Sequence, residues 1–93
     1  MSEAYLRSTI RNKQEVLRGL SSNISEAQAA ISRLQSERGR PSARPGDELR
    51  RNQEIDREID KHRRTVSSSE REIDRQRREI DGLEKELRST YGR

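Results

Sequence analysis

Isoleucine and leucine recur at heptad spacing along this chain, and that spacing constrains its fold more than any other feature. In "REIDRQRREIDGLEKEL", residues 71–87, Ile73 and Ile80 lie seven positions apart, each inside an Arg-Glu-Ile-Asp unit. Apolar residues at alternating steps of three and four form a narrow stripe along one face of an α-helix. Because most residues between them are charged or polar, the stripe can be buried only against other helices. The pattern predicts an all-α, coiled-coil fold.

The composition agrees with an elongated helical molecule and argues against a compact core. The chain has 93 residues, of which 26% are hydrophobic, 2% aromatic and 41% charged. Ordinary globular domains are about 45–50% apolar, and this chain has neither Phe nor Trp to fill a broad core. Low hydrophobicity is also typical of disordered chains. The regular spacing of the apolar residues favours a helix instead.

One segment, "RGRPSARPGDE" at residues 38–48, interrupts the helical pattern because it contains two glycines and two prolines. We predict a single helical hairpin with a first helix over about 3–38, a turn over 39–46 and a second helix over about 47–90. Gly39 is expected to end the first helix as a left-handed residue. Asp47 is expected to cap the second helix by accepting hydrogen bonds from its first backbone N–H groups.

Both predicted helices carry an unbroken heptad, in which positions a and d form the apolar stripe. In the first helix, position a holds Ile10, Leu17, Ile24 and Ile31, and position d holds Leu6, Lys13, Leu20, Ala27 and Leu34. In the second helix, position a holds Ile59, Val66, Ile73, Ile80 and Leu87, and position d holds Ile55, His62, Ser69, Gln76 and Leu83. The fold class predicted from these rows is a long antiparallel two-helix coiled-coil hairpin.

The short turn restricts how the two helices can be aligned. We predict the alignment in which residues at the same level have numbers that add up to 86, so that Leu34 lies opposite Asn52 and Ile24 opposite His62. In this alignment each polar residue of the d rows faces an aliphatic residue. The sequence also allows an alignment one heptad away, but that alignment would leave Leu34 without a packing partner or require a longer turn.

A hairpin of two helices buries its stripe only in part, so a partner is expected. Each fully buried aliphatic side chain contributes about 1.5–3 kcal/mol, whereas ordering the backbone costs about 1–2 kcal/mol per residue. Either a second copy completes a four-helix bundle, or another helical protein covers the stripe. The residues expected to bind the partner are Leu6, Ile10, Leu17, Leu20, Ile24, Ile31, Leu34, Ile55, Ile59, Val66, Ile73, Ile80, Leu83 and Leu87.

Nothing in the sequence predicts catalysis. The chain has no Cys and one His, His62, which occupies a d position and has no converging ligands for a metal. Carboxylates such as Asp74 and Asp81 precede Arg78 and Lys85 by four residues, the spacing of surface ion pairs on a helix. We therefore predict a non-enzymatic protein without catalytic, cofactor-binding or metal-binding residues.

The net charge of +4 raises the alternative of nucleic-acid or other anion binding. Residues 1–38 hold six Lys/Arg and four Asp/Glu, residues 39–46 hold two Arg, and residues 47–93 hold thirteen of each sign. The uncompensated charge lies at the turn, where Arg38, Arg40 and Arg44 form the candidate anion site. No aromatic residues are available there to stack on bases. We therefore rank anion binding by the turn below the two hypotheses in which the apolar stripe binds a second copy or another helical protein.

No apolar run approaches the length of a membrane span, and "MSEAYLRSTI" lacks the apolar region of a signal peptide. We expect a soluble protein that is cytoplasmic or is exported without a cleavable signal peptide.

The stretches "YLRSTIRNKQEVLRGLSSNISEAQAAISRLQSE" and "IDRQRREIDGLEKEL" resemble the small helical partner proteins of type VII secretion, in particular the YwqH-like accessory proteins of LXG toxins. The resemblance implies an adaptor that packs beside the helical targeting domain of a toxin for export. The chain departs from the pattern because its turn has no WXG tryptophan and its tyrosines, Tyr5 and Tyr91, do not form a Tyr-x-x-x-Asp/Glu export signal. The resemblance therefore implies that the partner supplies the export signal.

Overall fold

A computed structural model describes residues 2–41 and 44–92, and in these ranges the chain forms two α-helices. Helix α1 spans Glu3–Arg38 and helix α2 spans Pro45–Tyr91. The helices lie antiparallel and side by side in a rod of 70 × 15 × 14 Å. No strand occurs among the described residues. The predicted all-α helical hairpin is confirmed.

Helix α1 begins with a side-chain cap and ends without a left-handed residue. The Ser2 hydroxyl accepts a hydrogen bond from the Tyr5 backbone N–H at 3.1 Å, as expected of a serine N-cap. At the other end, Gly39 has a φ of −78°, which is right-handed. The Arg40 N–H closes the last turn on the Glu37 carbonyl at 3.1 Å. The predicted left-handed conformation of Gly39 is wrong, because this tighter turn already satisfies the end of the helix.

Helix α2 begins two residues earlier than Asp47, the predicted cap. Arg44 is the N-cap and Pro45 follows as the first residue, a position that suits proline because it needs no backbone N–H donor. The backbone N–H groups of Asp47 and Glu48 donate to the Arg44 carbonyl at 3.1 and 3.2 Å. The prediction that Asp47 caps the helix is therefore wrong. Its carboxylate instead lies in the first turn, where the helix dipole favours a negative charge.

The core is a single seam between the helices. The buried apolar residues are Leu6, Ile10, Ala27, Ala30, Leu34, Ile55, Ile59 and Ile80. All except Ala30 occupy a or d positions, so the heptad assignment places the core correctly. Leu34, Ile55 and Ile59 form a cluster near the turn, with Ile31 packed against it. At the opposite end of the rod, Leu6 is only 1% exposed.

The alignment of the helices differs from the predicted one by a heptad. The Arg38 Nε lies 2.8 Å from the Asp56 Oδ1, and the Lys13 Nζ lies 2.6 Å from the Glu79 Oε2. In the predicted alignment Arg38 would be level with Glu48, eight residues and about 12 Å along the axis from Asp56. Both ion pairs instead fit the alignment in which residue numbers add up to 93. The predicted alignment is wrong, and the alternative one heptad away is the one observed.

The observed alignment is favoured by the ends of the seam. It places Leu6 level with Leu87, whereas in the predicted alignment Leu87 would extend beyond the start of α1. Leu34 keeps its packing partners in this alignment, because it packs with Ile59 and Ile55. The first turns of α2 extend past the end of α1, and Leu49 on them is 64% exposed. The Arg51 guanidinium bonds to the Arg40 carbonyl and holds the connecting segment against this extension.

Cross-linking of engineered cysteines checks this alignment, since the chain has no native Cys. We expect the variant Arg38→Cys/Asp56→Cys to be cross-linked rapidly by a short bis-maleimide, because these side chains meet across the seam. The variant Arg38→Cys/Glu48→Cys is the matched control for the alternative alignment and should react slowly. Faster intramolecular cross-linking of the control pair, followed by gel mobility and mass spectrometry, would contradict the observed alignment.

Candidate functional site: two faces of the hairpin

The hairpin has two broad faces, one on each side of its seam, and they are lined by different heptad positions. With 3.6 residues per turn, position a leans toward position e and position d leans toward position g. In an antiparallel pair the e rows of both helices border one face, and the g rows border the other. We name these the e face, lined by the a and e positions, and the g face, lined by the d and g positions.

Surface grooves confirm this division. One groove brings together Ile10 and Gln14 of α1 with Glu84 and Leu87 of α2, and of its six lining residues only Arg11 is not at an a or e position. Another groove brings together Ala27 of α1 with His62 and Thr65 of α2, which are d or g positions. The e face and the g face are therefore separate surfaces, each formed by both helices.

The e face carries an uninterrupted apolar row. All nine a positions between Ile10 and Ile31 and between Ile59 and Leu87 are aliphatic. Ile10, Ile59 and Ile80 are buried in the seam. The half-buried members of the row are Leu17, Ile24, Ile31, Val66, Ile73 and Leu87. The e face therefore retains exposed aliphatic surface after the hairpin has formed.

The g face is interrupted by polar side chains, because the four polar seam residues all occupy d positions. They are Lys13, His62, Ser69 and Gln76. Ser69 and Gln76 are buried in the described structure, and Lys13 is paired with Glu79. The adjacent g row of α2 contains Glu58, Glu72, Glu79 and Glu86. An apolar groove on this face is confined to one end, where it is lined by Tyr5, Thr9, Gly82 and Leu83 beside the Lys13–Glu79 pair.

A hydrogen-bond network borders the buried Gln76 on the g face. The Gln76 Nε2 donates to the Glu72 Oε1 at 2.9 Å, and the Arg75 guanidinium binds the same oxygen. The hydrogen bond from Gln76 and that from Arg75 lower the pKa of Glu72. The Gln76 Oε1 has no hydrogen-bond partner. A polar residue of this kind in a heptad core costs stability but helps to fix the alignment of the helices.

The residues predicted to bind a partner fall into two groups in the structure. The buried ones are Leu6, Ile10, Leu34, Ile55, Ile59 and Ile80. The half-buried ones are Leu17, Leu20, Ile24, Ile31, Val66, Ile73, Leu83 and Leu87. The first group is used inside the hairpin, so only the second group has surface to offer to another helix.

The candidate anion site at the turn is partly neutralised within the hairpin. Arg38 is held by Asp56, and this hydrogen bond, together with the carboxylate charge, raises the pKa of the guanidinium. Arg40 and Arg44 are exposed, whereas Ser42 and Ala43 between them lie outside the described residues. Within the described part of the turn, two of the three predicted arginines, Arg40 and Arg44, form no ion pair within 4.0 Å.

No group of three or more His, Asp or Glu side chains converges on a possible metal position among residues 2–41 and 44–92. Within the same two ranges, neither helix contains a segment apolar and long enough to cross a bilayer. Comparisons of the chain with protein-family models, curated proteins and solved structures found no match.

The Glu72 network predicts a specific sensitivity to acid. Because the pKa of Glu72 is lowered in the folded state, its contribution to stability is present above the unfolded pKa and is lost as the pH falls through the folded pKa. We expect the thermal midpoint of Glu72→Gln to fall less steeply than that of the wild type below about pH 4.5. Glu58→Gln, in the same g row but exposed, is the matched control. Equal pH dependence of the wild type and Glu72→Gln in circular dichroism melts would contradict this assignment.

Proposed function

We propose that this chain is a non-enzymatic helical adaptor or chaperone that binds the helices of another protein molecule on its e face. The observation that carries the proposal is the division of the two heptad rows. From Ile10 to Ile31 and from Ile59 to Leu87 every a position is aliphatic, and most of these residues are half-buried on the e face. The polar seam residues named above lie on the side of the g face. One face of the rod is thus suited to further helix packing.

The energetics of the hairpin support this proposal. Burial of apolar surface contributes about 25 cal/mol per Å², and a two-helix seam leaves part of this gain unused at each half-buried residue. Helices added along the e face would give a four-helix arrangement in which the half-buried a residues are also covered on that face. The rod is 70 Å long, so the e face fits long helices aligned with it rather than a short peptide.

The resemblance to the small helical partner proteins of type VII secretion suggests one occupant for the e face. In that case the helical targeting domain of a secreted toxin would pack along Leu17, Ile24 and Ile73. The targeting domain would also supply the export signal that Tyr5 and Tyr91 do not form. The hairpin layout and the exposed aliphatic row both support such a role.

Anion binding by the turn is less well supported than helix binding by the e face. Arg38 is engaged with Asp56, and the many arginines of α2 alternate with carboxylates, with which Arg75 and Arg78 form ion pairs. Phosphate binding weakens steeply with ionic strength, whereas apolar helix packing does not. Binding of this protein to its partner should therefore persist at high salt.

Site-specific photo-cross-linking tests the proposal in cells that express the protein. We expect a benzoylphenylalanine placed at Gln28, an exposed e position, to form an adduct with a helical segment of another protein molecule. The same probe at Asn23, an exposed g position on the same helix, is the matched control and should give little adduct. The reason is that the aliphatic row of the e face is uninterrupted, whereas the row of the g face is broken by Lys13, His62, Ser69 and Gln76.

The adduct should disappear when Ile73 is replaced by Ser, provided that circular dichroism shows the variant to be helical. Peptide mapping identifies the cross-linked segment. Adducts formed equally from both probes, or adducts that persist in the Ile73→Ser variant, would contradict docking on the e face.

A further inference from the structure

The e row of α2 consists of charges whose sign alternates at every heptad. Its charged members are Asp56, Arg63, Glu70, Arg77 and Glu84, and all are exposed. Successive members are about 10.5 Å apart along the axis. Asp56 is paired with Arg38, but among the described residues the other four have no ion pair within 4.0 Å. These four charges are available to another molecule.

An alternating row of this kind is complementary to itself when two copies run antiparallel. A twofold axis at the level of Ile73 places Glu70 opposite Arg77 of the second copy and Arg63 opposite Glu84 of the second copy. The symmetry generates each pair twice, which gives four ion pairs between the copies. A parallel pairing in register would instead place like charges opposite each other and would be repelled.

The apolar rows have the same centre as the charges. The five a residues of α2 extend from Ile59 to Leu87 and are centred on Ile73. The four a residues of α1 are centred between Leu17 and Ile24, and the observed alignment puts this point level with Ile73. The charged and the apolar patterns are independent, and both are symmetric about this one level. A second copy therefore satisfies both with a single axis.

An open groove of about 600 Å³ surrounds Ile73 on α2, and it is lined by Ser67, Glu70, Arg71, Ile73, Asp74 and Arg77. Ile73 is half-buried there, among two acidic and two basic side chains. In the antiparallel arrangement the two copies of Ile73 meet, and each Glu70–Arg77 pair closes the groove beside them.

The e row of α1 does not oppose this arrangement. The e row of α1 is uncharged from Gln14 through Ser21 and Gln28 to Gln35, so it brings no repulsion to the e face. On the g face, by contrast, Glu72 and Glu79 belong to a predominantly acidic row. The g row of α2 therefore lacks the alternation of sign that makes the e row complementary to itself.

We propose that the e face of the isolated protein is covered by a second, antiparallel copy of this chain, which forms a four-helix rod centred on Ile73. This inference rests on the proposed function, because it assigns the occupant of the same helix-binding face. A helical partner that uses the e face must displace the second copy.

Light scattering after size exclusion, over a range of concentrations, tests the inference on the full chain. We expect the wild type to be dimeric. Either Glu70→Arg or Arg77→Glu should raise the dimer dissociation constant by about tenfold or more, because each substitution replaces two attractive pairs by repulsion. The double variant Glu70→Arg/Arg77→Glu restores opposite signs at every pair and should regain dimerisation. Circular dichroism verifies that each variant is helical.

Glu54→Arg and Arg57→Glu are the matched controls, since they make the same charge changes at exposed positions away from both faces. They should leave the dissociation constant within about threefold of the wild-type value. A wild type that is monomeric at about 100 μM, or a double variant that does not regain dimerisation, would overturn the inference. If such a monomer still gives the e-face cross-link to a different protein, the proposed function stands. If no e-face cross-link forms either, both are overturned.

Discussion

The seam between α1 and α2 is the one interface on which the rest of this structure depends. The described chain has no second layer of secondary structure, so burial along this line is what orders both helices. Leu6 closes the seam at one end and the cluster of Leu34, Ile55 and Ile59 closes it near the turn. Between these ends, Ser69 and Gln76 replace aliphatic residues in the seam. The ends therefore stabilise the hairpin more than its middle does.

Because the polar replacements are restricted to one heptad position, the same seam produces two chemically different faces. The d row directs Gln76 and Lys13 toward the g face, where they bind Glu72 and Glu79. From Ile10 to Ile31 and from Ile59 to Leu87 the a row directs only aliphatic side chains toward the e face. Stability within the hairpin and binding to further helices thus use different rows of one pattern. The proposed adaptor role and the antiparallel second copy both follow from this separation.

The sequence was sufficient to predict the two helices, the seam and its polar positions, but not the alignment of the helices. A slip by one heptad preserves every pairing of an a residue with a d residue, so periodicity cannot distinguish the two alignments. Which alignment forms depends on how the ends of the two helices match, since the observed alignment places Leu6 level with Leu87. It also depends on the ion pair between Arg38 and Asp56. The alternating e row was visible in the sequence, yet its meaning required knowing that Glu70 and Arg77 border the same groove as Ile73.

The central claim is that, in the isolated protein, the a row on the e face becomes covered by the helices of a second copy while the d row does not. Single cysteines at Ile24 and at Leu20 provide a matched comparison, since both residues are half-buried on α1 and differ in the face toward which they lean. The measurement is the rate of thiol alkylation as the protein concentration is raised. The account predicts that alkylation slows for Ile24→Cys and stays constant for Leu20→Cys. Equal rates at all concentrations, or slowing at Leu20→Cys alone, would contradict it.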